Sequence, residues 1–496
     1  MPQQFGNRCW YTSASSSVLG GSSVTSDAKY ARGVPQDYAG WPRDWAHDRL
    51  LPYFKVSEDN GDYDMWKDTR YHSRGGELHV QRFKYIDKYM ESVIEAFEEV
   101  GFVQKDINAG DAFDAVVHHQ FAILNNTRLS ANTAFLKPVR HMKNLQIITG
   151  ATVTKILVDK TTKAVDGVLY ERGKSKEQAA YVKREVVLAA GAINNAKLLL
   201  LSGIGPRAEV SRHNITLLQD SPVGLNYRDQ VSFGGLSFML EDVTSFNESQ
   251  LVADFEQWFE SRTGLLASRG IGQISSFVKS REDHDGPDIE YVLDGNFVRT
   301  NRFVMSKINV AATEEQNLPL PYYNIINVKP VLLKPKSKGR VTLNKQNPKY
   351  GRPTIQPNFL KENKDLQYLV DSVELVLQLL NTESFKKTGI KLAPIDHFPC
   401  EKANDREKWS CMARHYTTAM GTPVGTCRMG TNATEAVVDP TLKVYGVEGL
   451  RVVDASVMPA HVSAGIFAVS VMIAEKGAKM LIDDWKQIKD YYVYSS

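Results

Sequence analysis

The sequence predicts an α/β (α+β) fold, and three stretches carry the prediction. Near the C-terminus Leu450-Arg451-Val452-Val453 is a short apolar, β-branched run, a turn holding Asp454 and Ser456 follows, and Ala468 to Leu481 has helical periodicity. Glu185 to Ala190 repeats the pattern: a buried strand ends in the tight turn Gly191-Ala192-Ile193-Asn194, a helix begins at Lys197 to Ser202, and Gly203-Ile204-Gly205-Pro206 ends it. Between these stretches, Ile289 to Leu293, Asn324 to Val331 and Arg340 to Leu343 read as strands of an antiparallel sheet, and Asp365 to Leu380 as a long amphipathic helix. In an open α/β sheet ligands sit where strands end and helices begin. Oriented amides at such a helix start hold an anion or the electron-rich edge of a cofactor. That logic singles out the turn holding Asp454 and Ser456; the plainer reading is a buried strand with a docking helix.

The remaining elements follow in order. Ile86 to Val100 is amphipathic, with Tyr89, Val93, Ile94 and Phe97 at helical spacing. Leu145 to Ile148, Val153 to Val158 and Val168 to Tyr170 read as strand, strand and hairpin. With 496 residues, 42% of them hydrophobic and 24% charged, the chain suits two or three domains around real cores. A net charge of +3 is too balanced to point to nucleic acid or an anionic membrane. No run of 18 apolar residues occurs, so no membrane span is predicted.

Four cysteines are present, at positions 9, 400, 411 and 427. Cys400 and Cys411 flank a polar loop; they are either two unrelated thiols or a pair whose oxidation adds roughly 3 kcal/mol by the chain-entropy argument. N-glycosylation triplets begin at Asn125, Asn214, Asn247 and Asn432. Together with a disulfide they favour an extracellular, secreted lineage. Met1 to Phe5 lacks the basic start and apolar core of a signal peptide, which predicts that the natural N-terminus lies upstream. No metal site is predicted, since the cysteines are too scattered for zinc.

Several motifs, in order along the chain, resemble those of the glucose–methanol–choline (GMC) flavoprotein oxidoreductases, most of all their insect glucose-dehydrogenase-like branch. They are Gly20-Gly21-Ser22-Ser23 with Arg32-Gly33-Val34-Pro35-Gln36-Asp37-Tyr38, Arg128 to Pro138, Glu185 to Asn194, Pro222 to Gln230, Thr422 to Gly430, and Leu450 to Lys476. The resemblance runs from about Cys9 to Ile482 and implies FAD as cofactor and a small alcohol or sugar as substrate. It implies that Gly20, Gly21, Ser22, Ser23, Ser26, Val153, Gly191, Asp454 and Ala455 lie along the cofactor, with Val153 facing the adenine. It also favours the disulfide, because similar insect proteins carry a cysteine pair at this spacing. It divides the chain into an FAD-binding-like domain (1–40, 141–232 and 431–496) and a substrate-binding-like domain (41–140 and 233–430).

The match fails where the chemistry is done. The family oxidises CH–OH groups by hydride transfer to the flavin while an imidazole, whose pKa lies near working pH, takes the hydroxyl proton. The resemblance puts that pair at Thr422 and Gly465, and neither residue is a base. His415 and His461 lie nearby as substitutes, although a histidine in either place is more often a core or surface residue. On the cofactor side, Ala14-Ser15-Ser16-Ser17 replaces a Pro-Arg-Gly-Lys, Ser26 an Asn, Asn195-Ala196-Lys197 a Ser-Pro-Gln, and Gln230 a His. The diphosphate-cradling Gly-x-Gly-x-x-Gly occurs nowhere in the chain. The expectation is therefore a GMC fold whose α/β domain lacks its first βαβ unit, joined to an antiparallel-sheet substrate domain. Functionally the expectation is a pseudoenzyme with a binding or structural role, with a protein partner or as a homo-oligomer. The alternative is an active dehydrogenase whose dinucleotide-binding unit lies outside this chain.

Overall fold

The computed structural model describes residues 4–5, 9–10, 17–111, 113–173, 175–241, 248–280, 285–296, 322–394, 400 and 404–494. Ser15, and Asn247 of its glycosylation triplet, lie outside the described residues. Two large cores organise the rest.

In the first core two β-branched strands run in parallel, Val186–Leu188 beside Leu450–Val452, with Val186 opposite Leu450 and Leu188 opposite Val452. These are the parallel strands of this layer among the described residues. Each feeds a helical segment: Gly191–Leu201 after the first, the short turn Ala455–Val457 after the second. The long helix Phe467–Tyr494 completes the layer. The first helix starts at Gly191, six residues before the predicted start at Lys197. Its opening amides are satisfied in two ways: Gly191 N donates to the distant Asp454 Oδ2 (2.7 Å), and Ala190 N to the side chain of Asn195 within the helix (2.9 Å). A cap supplied by another strand leaves no local Ser or Thr signal to read.

Arg451, in the middle of its strand, is buried, and its guanidinium holds the layer together. It pairs with Glu185 at 2.7 Å and with Asp484 on the C-terminal helix, and donates to Thr441 O at 2.9 Å. An arginine is tolerated in such a strand only when its donors find partners inside.

A three-stranded antiparallel meander, Ala151–Val158, Val165–Arg172 and Gln178–Tyr181, lies beside this layer. Leu145 to Ile148, read from sequence as a strand, is not one. Leu145 and Ile148 are exposed, and among the described residues this apolar run pairs with no strand. The third strand of the meander, with the sequence Gln-Ala-Ala-Tyr, carries no β-pattern and was not predicted.

The second core belongs to a nine-stranded sheet. Its order is Lys391–Leu392, Leu236–Met239, Ile325–Leu332, Ile289–Asn296, Ile274–Val278, Ala115–His118 and Val103–Gln104, with Val231–Phe233 and Thr417–Ala419 attached beside Ile325–Leu332. All pairs are antiparallel except the last, between Ala115–His118 and Val103–Gln104. The amphipathic helices Met90–Glu99, Asn363–Gln378 and Asp405–Tyr416 pack their apolar faces into this core. Arg340–Thr342, expected in the sheet, instead pairs with Thr354–Gln356 as a separate ribbon. Val341 and Leu343 point into the first core, so burial there decides its place.

Candidate active site

The loop between the C-terminal strand and its helix is fixed by two buried carboxyl groups. Asp454 accepts from Gly191 N (2.7 Å), Asn195 Nδ2 (2.8 Å), Ser456 N (2.9 Å) and Ser456 Oγ (2.6 Å). Burial pushes its pKa above the usual carboxylate range, against the downward pull of those bonds. Asp37 accepts from Ser463 N and Ser463 Oγ, both at 2.7 Å, and from Val34 N at 2.9 Å. Gly33, at φ +75°, is required there: a Cβ would lie 2.6 Å from the Asp37 carboxylate and 3.1 Å from Val462.

A third carboxylate, Asp229, holds Thr422. Its Oδ1 accepts from Thr422 N (2.8 Å) and lies 3.1 Å from the Thr422 hydroxyl, while Oδ2 accepts from Tyr227 OH (3.0 Å). The Thr422 hydroxyl also lies 3.3 Å from Gln230 Oε1. The Gln230 amide then donates to the carbonyls of Leu333 (3.1 Å), Val462 (3.3 Å) and Ala464 (3.2 Å). Gln230 thus bridges Thr422 to the loop that ends in Gly465, and the two positions singled out from sequence face one small region. Gly465 is partly exposed, and a Cβ built on it would meet no atom within 4 Å.

The two substitute histidines separate. His461 is 2% exposed, and neither ring nitrogen makes a hydrogen bond of good geometry. Burial and then the charge of Arg228 push its pKa down to about 3, against main-chain groups of Arg228 and Thr422 that favour the protonated ring. His415 sits in the last turn of the helix Asp405–Tyr416, its ring within 4.8 Å of the sulfurs of Cys400 and Cys411. Those two cysteines form a disulfide, with Cα atoms 5.8 Å apart, as expected.

The expected cofactor-side residues divide as well. Asp454, Ala455 and Gly191 share one corner at the ends of the parallel strands. The Gly20–Ser23 turn, with Gly20 at φ +93° and Gly21 at φ +56°, is pinned to a different segment: Ala131 N donates to Ser23 Oγ (2.9 Å) and Arg128 Nη1 to Ser23 O (3.1 Å). Ser22 is exposed, Ser26 Oγ accepts from Ala28 N at 3.4 Å, and Val153 is exposed on its strand. Cβ atoms on Gly21 and Gly191 would also meet nothing within 4 Å. Asp37, Asn195, Asp229, Gln230 and Ser463 were missed as site-building residues. Only their buried partners, distant in sequence, reveal them.

Comparison with known proteins places the chain in a family. Two models described as GMC oxidoreductase match, an N-terminal one over residues 6–232 and a C-terminal one over 335–474. Glucose dehydrogenase [FAD, quinone] of Drosophila melanogaster is 33% identical over 488 residues, covering 96% of this chain and 75% of the fly protein. Ecdysone oxidase of Spodoptera littoralis is 31% identical, covering 95% and 78%. Among solved structures, a formate oxidase variant from Aspergillus oryzae superposes with a TM-score of 0.82 at 23% identity, covering 95% of this chain and 85% of its own, which shows a common fold. With both family models matched and 96% of this chain aligned to a relative 33% identical, the chain belongs to the GMC oxidoreductase family, whose members depend on FAD.

Proposed function

We propose that this chain is a GMC protein of the alcohol- and sugar-oxidising lineage that has lost its catalytic pair and turns over little or no substrate. One observation carries the reading: the place for a base holds a threonine whose hydroxyl faces two acceptors, beside a glycine with empty space. When bound, FAD supplies the hydride acceptor for a CH–OH carbon. The chain must then take the hydroxyl proton, and Thr422 and Gly465 offer no group for it. His461 is a poor replacement, being buried and too weak a base at a pKa of about 3. Small alcohols or sugars remain the substrate class by kinship with glucose dehydrogenase.

The residues present fit only parts of FAD. Gly21, Gly191 and Gly465 front open space, and the amides around Asp454 are ordered. The diphosphate, however, needs a glycine-rich turn at a helix start, and these 496 residues contain no Gly-x-Gly-x-x-Gly. An extracellular setting is supported by the disulfide and by the exposure of Asn125, Asn214 and Asn432. The second reading, an active dehydrogenase completed by residues outside this chain, draws on the intact Asp454 corner. Fusing a dinucleotide-binding unit ahead of this chain and measuring dye-linked alcohol oxidation separates the two. Flavin binding without turnover supports the first, and robust turnover the second.

A further inference from the structure

On the face behind Asp229, four cations converge on one open depression of about 510 Å³, lined by Arg228, Lys336, Lys338, Lys361 and Glu362. Among the described residues none of the four is in an ion pair, and Arg228 is half-buried. Glu362 lies on the exposed rim, and the Asp365 carboxylate is occupied by the amides of Lys336 (2.9 Å) and Ser337 (2.8 Å). Arg428 adds its charge from beyond the wall. The repulsion is felt: the charge of Arg228, before burial, holds the Lys338 ammonium below its ordinary pKa.

Arg228 is built into this wall. Its Nη1 donates to Pro335 O at 3.2 Å and its Nε lies 3.4 Å from Asn226 Oδ1. Among the described residues Nη2 has no acceptor. All three lysines are exposed and, among the described residues, without an ion pair; Lys336 lies over the ring of Tyr368 at 5.8 Å. Folding has therefore gathered like charges in a concave site, and the charge of Asp365 offsets the burial of Arg228 and the repulsion from Arg428 only in part. A concavity of one sign concentrates counter-charge, and its volume falls in the range of small-molecule sites.

We propose that this depression is an anion site for a soluble small molecule carrying a phosphate monoester or diphosphate, held by the Arg228 guanidinium and the ammonium groups of Lys336, Lys338 and Lys361. It is separate from the region around Thr422 and Gly465 and does not depend on oxidase activity. The probe is inorganic pyrophosphate, titrated calorimetrically into the purified full chain at low and high salt. Saturable binding that weakens with salt is expected, together with a rise in melting temperature. The exposed pair Lys336→Gln and Lys338→Gln should weaken binding by about tenfold or more, the loss of charge-assisted hydrogen bonds. Without anion, Lys338→Gln should melt no lower than the parent, because it removes repulsion. Heat that does not saturate, or pyrophosphate affinity unchanged in the double variant, overturns the site. Equal binding of sulfate and pyrophosphate, with no preference for the higher charge, overturns the assignment to phosphate compounds.

Discussion

Thr422 is bound twice by Asp229, through its main-chain N–H at 2.8 Å and its hydroxyl at 3.1 Å. The same carboxylate accepts from the buried hydroxyl of Tyr227. Removing it strands two donors in a poorly hydrated place. Asp229→Ala is expected to cost about 2 kcal/mol in urea unfolding, the desolvation penalty of unsatisfied buried groups. Thr422→Val, which keeps the main-chain bond, should cost much less. Equal losses in the two variants would show that the hydroxyl, not the amide, is what Asp229 holds.

A second charged network predicts a pH dependence. His72 is buried between Glu58 (Nδ1–Oε1, 2.9 Å) and Asp106 (Nε2–Oδ2, 2.7 Å), and Arg32 meets the other oxygen of Glu58 at 2.9 Å. Burial alone would lower the His72 pKa, but the bonds to Asp106 and Glu58 prevail and raise it from 6.5 to about 9. The folded state therefore binds the proton more tightly than the unfolded state. Its stabilisation is complete below about pH 6.5 and is lost as the pH rises through about 9, an effect on the order of 2 kcal/mol. Urea midpoints should fall across that window, and the fall should be flattened in His72→Gln. A slope that persists unchanged in the variant would assign it to other groups.

The Cys400–Cys411 disulfide closes a loop with a sequence separation of 11 residues. Cys411→Ser should lower stability by about 2–3 kcal/mol, and reductant should do the same to the parent chain. Cys427 supplies an internal control. Burial pushes its thiol up to about 12, so it should resist alkylation until the chain unfolds. Reaction of Cys427 in the native protein would contradict its packing in the first core.

The strands on both sides of this chemistry were legible because β-branched runs such as Val186–Leu188 and Leu450–Val452 declare themselves locally. The residues that fix the site were not. Gly191 and Asp454 are 263 positions apart, Gln230 and Ala464 234, and Asp37 and Ser463 426. A carboxylate in sequence shows its charge but not the amides that will surround it. Gln230 therefore read as a lost histidine, whereas in the fold its amide ties three carbonyls together. Conversely, Leu145 to Ile148 shows that an apolar run without a neighbouring strand stays irregular.

Flavin content follows from the same accounting. The chain of residues 1–496 should purify without a flavin absorption band, because the diphosphate's glycine-rich cradle is not among its residues. Addition of a dinucleotide-binding unit should restore the band. Stoichiometric FAD after gel filtration of the unextended chain would mean that the Asp454 corner and the open glycines are sufficient.

On the proposed reading, catalysis is a second defect, separable from flavin binding. Thr422→His would place an imidazole next to the Asp229 carboxylate, a neighbour suited to orient it and to stabilise its protonated form. Gly465→Asn has room, since a Cβ there meets nothing within 4 Å. Phe467, two residues on, packs against the first core. In the extended, flavin-bearing chain the two substitutions together should raise dye-linked alcohol turnover by about 10²- to 10⁴-fold, the worth of a positioned base. KM should change far less than kcat, because the added group acts on the proton lost during hydride transfer. Turnover should rise with pH as the new imidazole deprotonates, whereas the unsubstituted chain should show no such limb. Strong activity in the extended chain without either substitution would place the base elsewhere. His461→Gln is then the deciding variant: loss of that activity would make His461 the base despite its burial, and its persistence would exclude it.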